Sequence, residues 1–374
     1  MSSGLFILMN SEERIKEDIN IGAYGFLMPP IYEDEVPSRS RHYAVLCDYA
    51  CCSEGTEIFF FSNRKVTYGG TITKTNEDDP VFYLNGNTSP IGRKAKSELF
   101  VDLSKVYPDI RGEGVYNIGK NNRNEDMIRS MPFIIKFEKN ELTGKQITSD
   151  ELYFELGNYN FPFPSNSIQG IGLCTLAPRE TEILIDLMKK SDERLFYEFS
   201  THEKILNNKK VLFYKDLIDE KISNESHLEF LLLANREKLR NILSKSMDLT
   251  GNEKYTKGRQ IPISPFKPMQ FDRADICLYD INNPIRDKSL PNVVIELKKD
   301  KANYKAYEQV TRYLRWLEQI TSPDEFEKIT AIIVAPGFSN TLNKKKLREL
   351  KITLKYNDKI KLFSLDEDET IELV

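Results

Sequence analysis

The sequence lacks any long hydrophobic run, which argues against a membrane protein. No stretch approaches the roughly 20 consecutive apolar residues that a membrane-spanning helix needs. The short apolar run Leu5–Met9 has no basic segment before it and no small-residue cleavage site after it. It is therefore interpreted as a first strand and not as a signal peptide. We expect a cytoplasmic chain that does not enter a membrane.

Histidine and cysteine are also scarce, which argues against the commonest metal-binding and nucleophile patterns. The chain has three histidines, which form no convincing catalytic or metal-ligating set, and a surface position is expected for His227. The cysteines form no CxxC pair, and no second Cys/His pair stands at zinc-finger spacing. We expect free thiols in a reducing compartment. The cysteines are Cys47, Cys51, Cys52, Cys174 and Cys277.

The chain has no excess of basic charge either. Its formal net charge is −4, so the average charge does not predict a nucleic-acid partner. Phosphate binding depends on clustered Lys and Arg side chains rather than on the average. Any contact with a nucleic acid must therefore come from local basic patches.

The sequence does contain enough residues for more than one domain. Its 374 residues favour two domains. We predict a β-rich domain over residues 1–165, a helical linker region over 166–220, and an α/β domain over 221–374. The expected fold class is thus a two-domain α+β protein.

The N-terminal region is predicted to be a small barrel or a strongly bent sheet. Short apolar and aromatic runs at Tyr43–Leu46, Glu57–Phe61, Val81–Leu84 and Phe133–Phe137 alternate with glycine-rich turns. Asn158–Ser167 is broken by two prolines and is expected to cross between domains. A helix is predicted over Pro178–Lys190, because a proline begins it, acids follow, and lysines end it.

The C-terminal region has a different pattern, which predicts a mixed central sheet covered by helices. A leucine stripe that starts near Glu225 predicts a long helix. The remaining elements are predicted in the order strand, strand, helix, strand, helix, strand. They are Ala274–Asp280, Val293–Lys298, Asn303–Ile320, Ile329–Ala335, Leu342–Leu350 and Lys359–Ser364.

Two of these strands carry the residues that predict chemistry. Residues two apart on a strand share a face, so Glu296 and Lys298 project together, while Ile295 and Leu297 pack the other way. If the two strands form a hairpin, Asp275 and Glu296 converge on one spot. Two carboxylates with a backbone carbonyl form an oxygen-rich site that suits Mg²⁺. Lys298 would orient or activate water there and stabilise charge on a phosphate.

The spacing of these residues resembles the signature of the PD-(D/E)xK nuclease superfamily. Asp275, followed about twenty residues later by Glu296-Leu297-Lys298, is similar to the D…ExK pattern of that superfamily. The following helix is similar to that of NucS-type endonucleases, whose Q-x-x-x-Y pattern appears here as Gln309 and Tyr313. Glu225-Ser226-His227-Leu228 resembles the E-x-x-L start of the family's first helix.

This resemblance, which covers residues 221–374, implies a restriction-endonuclease-like domain and a role for each matching residue. Asp275, Glu296 and Glu225 would be metal ligands for Mg²⁺, with Mn²⁺ as a possible substitute. Lys298 would be the catalytic lysine, and Gln309 would position water or phosphate. Two alternatives stay open. Glu229 lies one turn beyond Glu225 on the same helix, and Asp272 or Asp280 competes with Asp275, although Asp280 belongs to the opposite strand face.

Basic clusters lie beside the predicted site and suit a polyanionic substrate. For the first cluster, which starts at Lys299, contact with DNA is favoured. For the second, which starts at Lys344, contact with DNA and a plain solvated surface are equally favoured. Tyr313 is grouped with the DNA-contact candidates, with simple packing as its alternative. The first cluster includes Lys299, Lys301, Lys305 and Arg312, and the second includes Lys344, Lys345 and Lys346.

The N-terminal region has a weaker resemblance to PUA-like folds such as EVE domains. It consists of His42–Leu46, then Gly55–Phe61, then Gly69–Ile72, as parts of a barrel. The resemblance implies recognition of a modified or extruded base by stacking on aromatic side chains. The alternative is that Phe59–Phe61 is plain core.

The resemblance as a whole implies a metal-dependent DNA endonuclease that the N-terminal domain directs or regulates. A restriction or anti-phage role and a repair role are both compatible with it. A homo-oligomer is expected, because many enzymes of this fold dimerise to cut both strands. The alternatives are a DNA-binding scaffold that does not cut and a nuclease directed at RNA.

Overall fold

The computed structural model describes most of the chain. Three sequence predictions fall outside the described residues: the crossing at Asn158–Ser167, the competing acid Asp272, and the start of the C-terminal domain at Lys221. The described residues are 3–9, 11–26, 39–72, 82–84, 115–120, 122–130, 133–156, 172–196, 224–263, 273–285 and 290–373.

The described residues form a mixed α+β structure. The helices are α1 (Glu12–Ile21), α2 (Arg39–Cys51), α3 (Ser149–Leu156), α4 (Pro178–Lys190), α5 (Glu225–Ala234), α6 (Arg236–Ser246), α7 (Tyr304–Ile320), α8 (Pro323–Phe326) and α9 (Lys344–Glu349). The strands of the first half are β1 (Gly4–Leu8), β2 (Ala23–Gly25), β3 (Glu57–Ser62), β4 (Lys65–Thr71), β5 (Phe82–Leu84), β6 (Val115–Lys120), β7 (Asp126–Ser130), β8 (Phe133–Lys136), β9 (Gln146–Thr148) and β10 (Leu173–Leu176). Those of the second half are β11 (Tyr255–Pro262), β12 (Arg273–Asp280), β13 (Val293–Leu297), β14 (Thr330–Ala335), β15 (Ile360–Ser364) and β16 (Glu369–Ile371).

The main sheet of the N-terminal half is open, so of the two predicted forms, a small barrel or a strongly bent sheet, the barrel is wrong for the described strands. Its order is β10-β1-β3-β4-β9, with β1 and β3 parallel and the other pairs antiparallel. Helices cover both faces: α4 packs on the face of Phe6 and Phe59. Helices α1 and α2 cover the face of Leu5 and Phe60. A sheet that is covered on both faces buries its apolar residues without closing on itself.

The segment Tyr43–Leu46 was predicted as a strand and is part of helix α2. The buried residues Tyr43, Leu46, Cys47 and Ala50 follow the spacing of one helix face, which a short apolar run conceals. This helix replaces one of the strands on which the PUA-like resemblance depends. Strand β1 and helix α4, in contrast, lie where the sequence predicts them, and α4 has the predicted bounds.

Part of the stretch 166–220, which was predicted as a helical linker, packs with the N-terminal sheet. Strand β10 pairs antiparallel with β1, and Leu184 and Met188 of α4 pack against that sheet. The two halves also share one hydrophobic cluster, in which α2 packs against α5.

The C-terminal half contains a six-stranded mixed sheet of order β11-β12-β13-β14-β15-β16. Strands β13, β14 and β15 are parallel, and the remaining neighbours are antiparallel. One face packs on α7, where Val294 lies with Val310 in the core. The other face packs on α5, where Ile295 lies with Leu228. The predicted order of elements is confirmed, with β11, α8 and β16 as unpredicted additions.

The long helix predicted from Glu225 is two helices. Asn235 ends α5 and caps α6, since its side-chain oxygen accepts a hydrogen bond from the Lys238 N–H at 2.9 Å. The leucine stripe continues across the break, and for this reason the sequence pattern resembles one helix. In the part of the chain that the structure describes, no helix has both the length and the apolar character that crossing a membrane requires.

Candidate active site

The two predicted strand acids lie side by side, on the face of the sheet that α7 covers. Strands β12 and β13 pair antiparallel, with Ile276 opposite Ile295, so the adjacent positions Asp275 and Glu296 are neighbours on the other face. The Leu297 N–H donates to Asp275 Oδ2 at 2.7 Å. Glu296 is buried, with 2% of its side chain exposed. The convergence that the hairpin predicts is therefore present in the structure.

Lys298 joins the two acids immediately beyond the end of β13. Its Nζ lies 2.7 Å from Glu296 Oε1 and 3.8 Å from Glu225 Oε1. Glu225 stands in the first turn of α5, and half of its side chain is exposed. Lys298 itself is 28% exposed, so it can face a ligand while it holds Glu296. The structure thus groups Lys298 with Glu296 and Glu225, and Glu225 lies at the outer rim of the site.

Helix α7 supports Glu296 from beneath. The Tyr313 hydroxyl lies 3.2 Å from Glu296 Oε2 and 2.8 Å from the Arg273 carbonyl oxygen. Gln309 Nε2 donates to the same hydroxyl at 2.6 Å. Tyr313 is fully buried, so it has no surface with which to contact a nucleic acid. The prediction that Tyr313 contacts DNA is therefore wrong. Its hydroxyl contacts the Glu296 carboxylate and accepts a hydrogen bond from Gln309.

Burial shifts the titration of the two acids. The pKa of Asp275 is well above its ordinary value, first because the carboxyl is buried and then because Glu296 and Glu229 lie nearby. Burial also raises the pKa of Glu296, while Lys298 opposes that rise. Both shifts have the same meaning: this pocket disfavours two uncompensated negative charges. A bound cation would balance the negative charge of the two carboxylates.

Lys298 supplies part of that positive charge. Burial alone would lower the pKa of Lys298, but Glu296, Asp275 and Glu225 outweigh burial and raise it above its ordinary value. The side chain is therefore a protonated ammonium at neutral pH. In this arrangement it is suited to neutralising a phosphate and not to removing a proton from water.

The alternative acids occupy other places. Both oxygens of Glu229 are bound by the Arg259 guanidinium, at 2.8 and 3.0 Å, which leaves this acid with a structural partner. Asp280 lies at the far end of β12, where its Oδ1 accepts the backbone N–H of Asn282 at 3.0 Å. Of the alternatives within the described residues, Asp275 and Glu225 thus remain beside Lys298.

Two of the basic residues flank Gln309 on the surface of α7. Lys305 and Arg312 are both exposed, and their spacing from Gln309 places all three on one helix face. Lys299 and Lys301 are exposed on the loop that follows β13. Lys344, Lys345 and Lys346 lie on α9, which follows the loop that leaves β14. The first group therefore borders the site, and the second lies on a separate helix.

Within the described part of the chain, histidine and cysteine take no part in the site. His227 is buried and stacks on Tyr43 with ring centroids 4.3 Å apart, so its predicted surface position is wrong. The five cysteines are free, as expected. Burial raises the pKa of Cys47 and Cys277, which keeps these thiols protonated and unreactive.

Sequence reasoning missed two residues of the unpredicted strand β11, one of which contacts Asp275. Gln260 Nε2 donates to Asp275 Oδ1 at 2.9 Å. Arg259 points the other way and pairs with Glu229 and with Asp48 of α2, whose Oδ2 it contacts at 3.1 Å. A positive backbone φ of 51° at Gln260 marks this place in the structure, but no sequence pattern indicates it.

The donors present fit a magnesium-type cation, although no cluster of three His, Cys, Asp or Glu side chains is gathered within the described ranges. Asp275 and Glu296 offer two carboxylates in a pocket that is short of positive charge. Mg²⁺ characteristically binds one or two carboxylates and completes its coordination with water and substrate phosphate. Asp275 and Glu296 would hold the ion, with Glu225 next to them at the rim.

Comparison with known proteins adds little to this geometry. No protein-family model matches the chain, and no curated protein matches it. Among solved structures, a repair endonuclease from Pyrococcus abyssi matches this chain at 13% sequence identity with a TM-score of 0.20. The match covers 91% of this chain and 99% of the endonuclease chain. A TM-score of this size establishes no common fold.

Proposed function

We propose that this chain is a metal-dependent endonuclease that hydrolyses phosphodiester bonds in DNA. The observation that carries the proposal is the grouping of Asp275, Glu296 and Lys298 at one spot of the C-terminal sheet, with Lys298 Nζ 2.7 Å from Glu296. Two acids whose pKa values are raised by burial make a cation site, and a protonated lysine beside them makes a phosphate site. In metal-assisted hydrolysis of a phosphodiester, a cation and a positively charged side chain both stabilise the negative charge of the transition state.

The residues of the chain divide this work between them. Asp275 and Glu296 would hold the cation, which supplies positive charge to the phosphate when it is bound. Lys298 neutralises the phosphate undergoing attack. Tyr313, supported by Gln309, fixes the orientation of the Glu296 carboxylate. Lys305 and Arg312, exposed beside Gln309, would bind phosphates of the flanking DNA.

The N-terminal half is proposed to direct or regulate cleavage, because its helix α2 contacts β11, the strand next to Asp275. Asp48 of α2 contacts Arg259, the neighbour of Gln260 on β11. Lys257 of the same strand donates to the carbonyl oxygens of Ala50 and Leu233, each at 2.7 Å, and so ties the ends of α2 and α5 together. A change in the N-terminal half therefore reaches the strand beside Asp275.

The experiment that tests the function compares cleavage of plasmid, linear and single-stranded DNA with Mg²⁺ or Mn²⁺. Lys298→Ala is expected to reduce cleavage by on the order of a hundredfold or more, since it removes a charge that stabilises the transition state. Lys355→Ala is the matched control, because Lys355 forms the same kind of pair with Glu318 on the surface, at 2.6 Å. Wild type that cuts no DNA, or a Lys298→Ala variant as active as wild type, would contradict the proposal. Cleavage of RNA alone would reassign the substrate.

A further inference from the structure

Gln260 has an unusual backbone for a residue inside a strand. Its φ is 51°, in the left-handed region, although it lies within β11 and is not a glycine. Its neighbours remain in regular register: Arg259 pairs with Ile276, and Ile261 pairs with Ala274. No residue is inserted, so the distortion is confined to Gln260, which lies opposite Asp275. A conformation of this kind persists only where the surroundings hold it.

The distortion directs the Gln260 side chain at the metal ligand. Gln260 Nε2 donates to Asp275 Oδ1 at 2.9 Å, while the Leu297 N–H donates to Asp275 Oδ2 at 2.7 Å. One oxygen of Asp275 is therefore held by a donor on β11, and the other is held by a donor on β13, the strand on the opposite side of β12. A carboxylate oxygen has lone pairs beyond the one that each hydrogen bond uses, so both remain able to bind a cation.

The neighbour of Gln260 is anchored by both halves of the protein. The Arg259 guanidinium is 11% exposed and binds Glu229 of α5 and Asp48 of α2. Its backbone N–H donates to Thr175 Oγ1 of β10 at 3.0 Å. Two of these partners, Asp48 and Thr175, belong to the N-terminal half. A residue held at its side chain and its backbone restricts the backbone of the next residue.

We propose that Gln260 is a positioning residue for the metal ligand Asp275, and that the N-terminal half holds Gln260 in place through Arg259. This inference rests on the proposed function, since it takes Asp275 as a metal ligand. Gln260 acts through Asp275 and touches no reacting atom. Its loss therefore weakens metal binding more than it slows the reaction of the metal-loaded protein.

The test is titration of the full chain with Mn²⁺ by calorimetry. Gln260→Met keeps the size and the backbone strain but removes the donor. Gln260→Gly removes both the donor and the strain, so it folds even if the first variant does not. Both are expected to bind Mn²⁺ on the order of tenfold more weakly than wild type. The control Lys351→Gly changes an exposed residue that also has a positive φ, 58°, and is expected to bind as wild type does.

A split between kinetic constants separates positioning from loss of fold. For Gln260→Gly, the Mn²⁺ concentration that gives half-maximal cleavage is expected to rise about tenfold, with kcat at saturating Mn²⁺ within a fewfold of wild type. Thr175→Val, which removes the acceptor of the Arg259 N–H, is expected to weaken Mn²⁺ binding in the same direction. Unchanged affinity in Thr175→Val would overturn the part played by the N-terminal half.

The failures of the two proposals differ in this experiment. If wild type binds Mn²⁺ and Gln260→Met binds it equally well, the positioning role is overturned and the nuclease site stands. If wild type binds no Mn²⁺, the metal site itself is overturned, and the role of Gln260 falls with it.

Discussion

Two groups of the C-terminal half contain the same three residue types at nearly the same distances. In the buried group, Lys298 lies 2.7 Å and the Tyr313 hydroxyl 3.2 Å from Glu296. In the surface group (Glu318, Lys355 and Tyr356), the corresponding distances to Glu318 are 2.6 and 2.8 Å. Contact geometry therefore does not distinguish a candidate active site from an ordinary surface pair.

Burial and a second acid distinguish the two groups. Burial raises the pKa of Glu296, whereas hydrogen bonds from Lys355 and Tyr356 lower the pKa of Glu318. The buried group also has Asp275 beside it, which adds negative charge that the lysine alone does not balance. The surface group is neutralised by its own lysine and by water. Burial and the excess of negative charge are therefore the two features on which the proposed site for a cation and a phosphate rests.

The largest effect is expected from removing the acid of each group. Glu296→Gln is expected to lower the rate of DNA cleavage by on the order of a hundredfold to a thousandfold, because it removes an oxygen that is proposed to bind the metal. Glu318→Gln is expected to leave the rate unchanged. Rates are compared at saturating Mg²⁺ on one plasmid substrate. Equal rates in the two variants would mean that burial does not define the site.

A smaller effect is expected from removing the tyrosine hydroxyls. Tyr313→Phe leaves Glu296 Oε2 without this partner and is expected to slow cleavage about tenfold, as the loss of an outer partner of a metal ligand commonly does. Tyr356→Phe removes a partner of an exposed acid and is expected to change the rate less than twofold. Steady-state kinetics with Mn²⁺ measures both. A Tyr313→Phe variant that matches Tyr356→Phe would limit Tyr313 to packing.

The two acids are expected to affect stability with opposite dependence on pH. The raised pKa of Glu296 means that its contribution is largest below about pH 4.5 and is lost as pH rises through the folded-state value. The lowered pKa of Glu318 means that its contribution is present above about pH 4.5 and is lost as pH falls through the folded-state value.

Urea unfolding of the two glutamine variants measures this difference. Relative to wild type, Glu296→Gln is expected to gain stability as the pH rises above about 4.5, since glutamine resembles the protonated acid. Glu318→Gln is expected to lose up to about 1 kcal/mol at pH 7 and little below pH 4, as an exposed pair should. Parallel curves for the two variants would show that the environments of the two acids do not differ.

The smallest effect is expected from two exposed lysines. Lys305, beside Gln309, is expected to contact a DNA phosphate, so Lys305→Ala should reduce the slope of log affinity against log salt by about 1. Lys355→Ala should leave that slope unchanged, since its charge is committed to Glu318. Binding of uncut DNA in the presence of Ca²⁺ measures the slope. An equal change in both variants would remove the distinction between the lysines.

The predictions from sequence succeeded where one short-range period describes the structure. The period of two placed Glu296 and Lys298 on one strand face, and helical spacing placed Gln309 near Tyr313. The same reasoning failed at Tyr43–Leu46, because four apolar residues fit a strand and a helix equally well. The same reasoning also assigned residues 166–220 to a linker, whereas strand β10 in that stretch pairs with β1 in the N-terminal sheet.

By itself, the sequence determined the order of the predicted C-terminal elements and the strand face on which each acid lies, because local periods of two and 3.6 residues encode both. It did not indicate β11, α8, β16 or the break at Asn235. Only the tertiary structure decided which acids lie together beside Lys298. Glu229 is bound by Arg259, Tyr313 is buried beneath Glu296, and Gln260 faces Asp275 with a strained backbone. These outcomes depend on contacts between residues far apart in the chain, and burial, which sets the charge balance of the site, exists only once those contacts have formed.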